Sequence, residues 1–340
     1  MSERRLVVGY ESALDFWRAV RAATAERDVL EPTGKTYGAR PLTLSERANL
    51  AINLCNTKAP LDVVVKAKGK RRGYANIDDH VWRGPLTDEH LHGIGNGIYV
   101  CRIPAVFCQL ATKMDEIDLA EVACEMAGTY GLAPWTEEGS VGDLEALVGL
   151  AELEGYVGAL RALGVRGGAR AAAALDISAP GSNSPRETDV AIFLKLSRAR
   201  GGADLGGFSM NRRIKLPPGL AKRLNKETVI PDFTWDNGTV VEYDSTQEHL
   251  SPEARARDEA KRRAYKAEGL DCLTLTNGIL RSNALLNLFV EDLEESLGIE
   301  RRPMSDRMEE RRAQLRERLF GSETKEAALA ALNHAGQGHT

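Results

Sequence analysis

Cysteine is scarce in this chain and badly spaced for any cross-link. Five residues, Cys55, Cys101, Cys108, Cys124 and Cys272, are odd in number and include no Cys-x-x-Cys pair. This excludes a disulfide framework and a zinc knuckle, and leaves reduced, mostly buried thiols as the reading. Long apolar runs are missing too. No stretch of about 18 apolar residues occurs, so no transmembrane helix is expected. The N-terminus "MSERRLVVGYESALDFWRAV" lacks the apolar core and small-residue cleavage site of a signal peptide, so a soluble, cytoplasmic chain with no membrane partner is expected. An excess of either charge is also lacking: 45 Lys and Arg against 49 Asp and Glu leave a formal net charge of −4. That excludes a basic nucleic-acid coat and an acidic tail protein. Internal repeats are absent.

What is there is a bipolar chain long enough for two domains. At 340 residues it exceeds the usual span of one core, and 43% hydrophobic residues is the share of a globular protein. From Lys195 to Lys226 nine basic side chains face a single acid, Asp204, for a net +8. From Asp115 to Glu154 there are eleven acids and no Lys or Arg, which offers an acidic surface to a protein partner.

The expected fold class is α/β. Residues 1–130 read as a mixed α/β domain, with helices in "ESALDFWRAVRAATAE" and "IDLAEVACEMAGTY" and a strand, basic turn and further short elements in "LDVVVKAKGKRRGYANIDDHVW". Residues 131–183 read as a helix, roughly Val141 to Leu163, and a Gly, Pro, Ser and Asn-rich junction. Residues 184–298 carry the order α-β-β-β-α-β-α, a mixed sheet flanked by helices. Its first helix starts at "SPRET", with Ser184 as N-cap, Pro185 at the first helical position and Glu187 completing a capping box. A strand is expected in "FSMNRRIKL", and "SPEARARDEAKRRAYKAEG" reads as a helix closed by Gly269. Residues 299–340 read as a charged helix and a frayed tail.

The stretch "IPDFTWDNGTVVEYDSTQEH", residues 230–249, sets Asp232, Glu242 and Asp244 among strand formers. A three-residue Asp236-Asn237-Gly238 loop, with Gly238 in the left-handed region, pairs Trp235 with Thr239 and so puts Asp232 opposite Glu242. Side chains alternate faces, so Asp244 joins them. A two-residue Asn-Gly turn would slip the register and send Asp232 to the other face. Opposed like charges need compensation, and a hard cation such as Mg²⁺ supplies it. The plain alternative is an exposed hairpin face whose acids serve solubility.

"SPRET", "IPDF", "VVEYDSTQEH" and Asp258-x-x-Lys261 followed by Gly269 resemble the PD-(D/E)XK nuclease superfamily, in particular the branch related to very-short-patch-repair endonucleases, over about residues 180–295. The resemblance implies a restriction-endonuclease-like fold and a metal-dependent endonuclease that hydrolyses DNA phosphodiesters with Mg²⁺ or Mn²⁺. It makes Asp232 and Glu242 the metal ligands and Glu187 the helical acid, a residue that capping also explains. Asp244 stands where the superfamily name has Lys, and Lys261, Arg262 or His249 are the residues that would substitute for it. The alternative it leaves is a DNA-binding regulator with a degenerate nuclease fold. "IPAVFCQLATKMDEIDLAEVACEMAGTY" is similar to abortive-infection type IV antitoxin-like regulators.

The basic run tracks a phosphate backbone on this reading, with Arg212, Arg213, Lys215 and, from the later helix, Arg262 as DNA contacts. "KAKGKRR", residues 66–72, is a second candidate for phosphate contacts or a solvated turn. His90-x-His92 is too short for a metal site. "GIGNG" at 93–97 and "TGKT" at 33–36 fail as nucleotide loops, the second because Val29 stands where a glycine is needed. Cys108 has no placed histidine partner and reads as a buried thiol.

Overall fold

The computed structural model describes residues 5–25, 42–67, 73–136, 139–224, 227–244, 262–300 and 303–321. The chain divides into two compact units, Met1–Ser178 and Ala179–Thr340. Each is mixed α/β. Among the described residues no helix is long and apolar enough to cross a membrane.

The first unit is built on a five-stranded mixed sheet. Its strands are β1 (Leu6–Val8), β2 (Leu61–Val65), β3 (Ile77–Val81), β4 (Leu91–Gly95) and β5 (Ile98–Cys101), in the order β3-β2-β1-β5-β4. β1 runs parallel to β5 and antiparallel to β2, while β2 and β3 are parallel. The β-branched content of "LVV" and "LDVVV" suits a sheet interior, and Leu6, Val8, Leu61 and Val63 are fully buried. Helices α1 (Tyr10–Ala25) and α2 (Leu44–Leu54) pack on the sheet. The β1 to α1 corner needs Gly9, because a Cβ there would lie 2.4 Å from Val64 Cγ2 and 2.6 Å from Gln109 Oε1. The glycine-rich "GIGNG" is the β4–β5 hairpin: Asn96 and Gly97 both have positive φ, 52° and 71°, as a type I′ turn requires.

Helices α3 (Ile103–Leu110), α4 (Glu116–Ala127), α5 (Leu150–Ala162) and α6 (Gly168–Asp176), with the short pair β6 (Gly131–Leu132) and β7 (Ser140–Val141), complete this unit. α5 and α6 pack on α3 and α4, so the Ala-rich helix belongs to the first unit. The helix expected from about Val141 starts at Leu150, because Gly142, Gly149 and a left-handed Asp143 (φ 56°) keep the intervening residues out of it. Two members of the acidic run have partners within the fold. Asp115 caps α4 by accepting from the Ile117 and Asp118 amides, and Glu125 is buried against Arg18.

The second unit has a four-stranded mixed sheet in the order β13-β12-β11-β8, from β8 (Phe208–Met210), β11 (Phe233–Trp235), β12 (Thr239–Asp244) and β13 (Asp271–Thr276). β8, β11 and β12 are antiparallel neighbours, and β13 runs parallel to β12. The strand expected across "FSMNRRIKL" is split: Asn211, at φ 50°, turns the chain out of β8, and Ile214–Lys215 becomes β9, paired with β10 (Thr228–Val229). α8 (Pro218–Leu224) joins β9 to β10. A helix over 262–267, here α9, lies against Val240 through Ala264 and Tyr265. On the other face, Thr239 Oγ1 donates to the Ser296 carbonyl of α11 (Asn283–Ser296), and the Tyr243 hydroxyl donates to Asn277 Oδ1 of α10 (Asn277–Arg281). Helices thus cover both faces of the sheet.

α7 (Pro185–Lys195) opens this unit with the expected cap, the Ser184 hydroxyl accepting from the Glu187 amide. The charged α12 (Asp306–Phe320) buries Arg312, Leu315, Leu319 and Phe320 on one side, with Phe320 edge-on to Phe193 of α7.

All four cysteines of the first unit are buried, and Cys272 is half-buried. Burial pushes the thiols of Cys55, Cys101 and Cys108 up to about 12. The native protein should therefore take one alkylating group at mildly alkaline pH, on Cys272, and four more only in denaturant. Intact-mass measurement checks this, and rapid native labelling of any first-unit cysteine would contradict the burial.

Candidate functional site

The hairpin register decides whether the acids of the second unit meet. β11 and β12 pair Phe233 with Val241 and Thr234 with Val240, the register that the three-residue loop requires, and Gly238 sits at φ 92°. The Gly238 amide donates to the Trp235 carbonyl, and Asn237 Oδ1 accepts from the Thr239 amide. Asp232 lies in the bend just before β11, one step beyond the last ladder pair Phe233–Val241, and Glu242 follows Val241 on β12. Both are half-buried.

Each carboxylate is held in place. Asp232 Oδ2 accepts from the Tyr243 amide at 2.7 Å, and Glu242 Oε1 accepts from the hydroxyl of Tyr265, a fully buried α9 side chain. Burial first, then the Glu242 charge, pushes the Tyr265 phenol far above its ordinary value, so it stays a donor at any physiological pH. Glu187 is connected to the same place through one residue. Its carboxylate accepts from the Asn183 amide, the Ser184 hydroxyl and Asn211 Nδ2 (2.7 Å), while the Asn211 amide donates to the Asp232 carbonyl. Glu187 takes the Asn183 amide where the expected capping box would have it take the Ser184 amide, and Asn211 ties it to the hairpin.

Asp244 does not complete the expected three-acid pocket. Among the described residues the group of three potential ligands lying within 4.8 Å of one another is elsewhere, at Asp62, Asp78 and His80 of the first unit. Asp244 is two residues beyond Glu242 on the same strand, and its ladder neighbour is Thr276, so the strand's rise carries it away from the Asp232–Glu242 pair. Two acids at one end of the hairpin, rather than three round one centre, is the arrangement.

The expected cations are partly gathered. Arg212 and Arg213, both exposed, follow Asn211 directly, and Arg212 lies 3.7 Å from Asp236 of the hairpin loop. Arg262 Nη2 donates to Thr274 Oγ1, and Thr274 is the ladder neighbour of Glu242. Lys215 is exposed on β9. Arg198, from the same basic run, turns inward to Glu294 at 3.1 Å. His249 and Lys261 lie outside the described residues.

In the first unit, Asp62, Asp78 and His80 can hold a metal ion. His80 Nε2 lies 2.6 Å from Asp62 Oδ1 and 3.3 Å from Asp78 Oδ2. Burial would push Asp62 up, but the His80 hydrogen bond and the Lys113 charge outweigh it and hold its carboxyl below the usual range. The neighbouring histidines are not part of this. His90 Nδ1 accepts from the Thr87 amide, and His92 packs against Phe16 and Trp17, where burial pushes its pKa down.

The chain matches no family model, no curated protein and no solved structure. Its chemistry therefore rests on its own residues. Five of those that matter escaped sequence reasoning: Tyr265 and Asn211, which hold the acids of the second unit, and Asp62, Asp78 and His80 in the first. The alternation Asp62, Asp78, Asp79 and His80 on two strand-like segments was the available signal, but nothing local says that those segments pair.

Proposed function

We propose that the second unit is a nuclease-like module that binds Mg²⁺ or Mn²⁺ at Asp232 and Glu242 and hydrolyses DNA phosphodiesters. The observation that carries this is two half-buried carboxylates at the same end of the β11–β12 hairpin, Asp232 in the bend before β11 and Glu242 on β12, both acting on the Tyr265 hydroxyl. Like charges gathered in this way need a cation to compensate them. Oxygen donors of this kind suit a hard divalent ion that keeps several waters. With the β9–α8–β10 excursion and the short α10 set aside, the order is α7-β8-β11-β12-α9-β13-α11, and with β12 and β13 parallel in a mixed sheet this supports a restriction-endonuclease-like reading. The exposed Arg212 and Arg213, which follow Asn211, and Arg262, which donates to the Glu242 neighbour Thr274, support a phosphate-bearing partner.

When bound, the cation would polarise a phosphoryl oxygen and activate water for in-line attack. The chain's part is positional. Tyr265 and the Tyr243 amide fix the two carboxylates, and Arg262 supplies positive charge where the motif has lost its lysine. Exposed arginines hold the phosphate backbone.

A second reading, a DNA-binding regulator without turnover, is favoured by Asp244 in the lysine position and by the lack of a three-ligand closure there. Incubation of the full chain with plasmid, single-stranded DNA and RNA in Mg²⁺, Mn²⁺ or chelator separates them. Metal-dependent cleavage of DNA supports the enzyme. Salt-dependent DNA binding with no cleavage of any substrate supports the regulator, and neither cleavage nor binding removes both.

A further inference from the structure

We propose that Asp62, Asp78 and His80 form a separate cation site in the first unit, for a first-row transition metal of the Zn²⁺ kind, with Lys113 as the charge that holds Asp62 in the metal's absence. The donor set is the first argument. One imidazole nitrogen and two carboxylate oxygens converge within 4.8 Å, and imidazole selects borderline metals over Mg²⁺ or Ca²⁺.

The second argument is the backbone. In the parallel β2–β3 ladder Asp62 is the Cα partner of Asp78, and Val64 of His80, so all three ligands share one sheet face. Their places are set by paired strands rather than by loops. Side-chain exposures of 13% for Asp62 and 15% for His80 against 57% for Asp78 describe two anchored ligands and one that opens to solvent.

The supporting shell is the third. Ser12 donates its amide and hydroxyl to Asp62 Oδ2, at 3.2 and 3.1 Å, which orients the other oxygen, Oδ1, toward His80. The Tyr10 ring packs on His80 with centroids 4.4 Å apart. Lys113 Nζ reaches Asp62 Oδ1 at 3.3 Å and Glu11 at 3.0 Å, and lies 4.8 Å from the Tyr10 ring centroid. One lysine thus serves a locality with four carboxylates, Glu11, Asp15, Asp62 and Asp78.

A structural cluster in which His80 pairs with both Asp62 and Asp78 is the alternative, and in it the exposed Asp78 contributes little, since an exposed ion pair is weak and binds no metal. Asp78→Asn therefore discriminates. With the full chain stripped by chelator, titration with Zn²⁺ alone, followed by calorimetry, is expected to show one equivalent bound with affinity lowered at least tenfold in Asp78→Asn and in His80→Gln. Lys113→Met should tighten it. Co²⁺ in place of Zn²⁺ should give visible d–d bands without thiolate charge transfer, which separates this site from the cysteines. No binding by the wild type, or equal binding by Asp78→Asn with an unchanged melting curve, would overturn the proposal. Should His80→Gln fail to fold, the exposed Asp78 still decides.

Discussion

Asp232→Asn is expected to lower Mg²⁺-dependent DNA cleavage on the order of 10²–10³-fold, the cost of removing one group that stabilises charge at a reacting phosphate. The change is chosen to spare the fold. Asparagine keeps the shape of the side chain and an oxygen that accepts from the Tyr243 amide, so the hairpin contact survives. What is lost is the negative charge at the Glu242 end of the hairpin. For the same reason DNA binding should be unchanged or slightly tighter, since a carboxylate that repels phosphate has gone. Cleavage rates in Mg²⁺ and Mn²⁺, read beside a thermal melt and a binding isotherm, test this. Cleavage that survives the substitution would place the chemistry elsewhere on the chain.

Glu125→Ala should destabilise the first unit by about 3–5 kcal/mol, the range for stripping one partner from a buried ion pair. Glu125 is 1% exposed and takes two hydrogen bonds from Arg18, at 2.9 and 2.6 Å, and a third from the Leu132 amide at 2.9 Å. Burial opposes the charge on Arg18, but Glu125 outweighs it and holds the guanidinium above its ordinary value. Without the carboxylate, that buried charge has lost its chief compensation. Arg21 adds to the dependence: it donates to the carbonyls of Glu125, Gly128 and Tyr130 at the end of α4, so the helix terminus and the ion pair are one assembly. Denaturant unfolding monitored at the first unit's Trp17, Trp82 and Trp135 measures the loss. A change below about 1 kcal/mol, the range of exposed pairs, would show that the pair is solvated.

Elements with local causes were legible in advance. Ser184, Pro185 and Glu187 fix the start of α7 because a cap needs only residues within one turn of each other. The Asp236-Asn237-Gly238 loop fixes the β11–β12 register because Gly238 can take a left-handed φ without strain. The breaks that were missed had equally local but weaker signals. Asn211, the residue that splits "FSMNRRIKL", tolerates the left-handed region without demanding it.

The sequence by itself determined the α/β class, the reduced and unpaired cysteines, the capped α7 and the two registers open to the β11–β12 hairpin, since each follows from residues within a few positions of one another. Only the tertiary structure decided that Tyr265 bonds Glu242, that Asn211 links Glu187 to the hairpin, and that Asp62, Asp78, His80 and Lys113 meet. These depend on which strands pair and which helix covers which face. The parallel pairing of β2 with β3 is set by burial of Leu61, Val63 and Ile77 in a shared core, a nonlocal free energy that no short segment encodes.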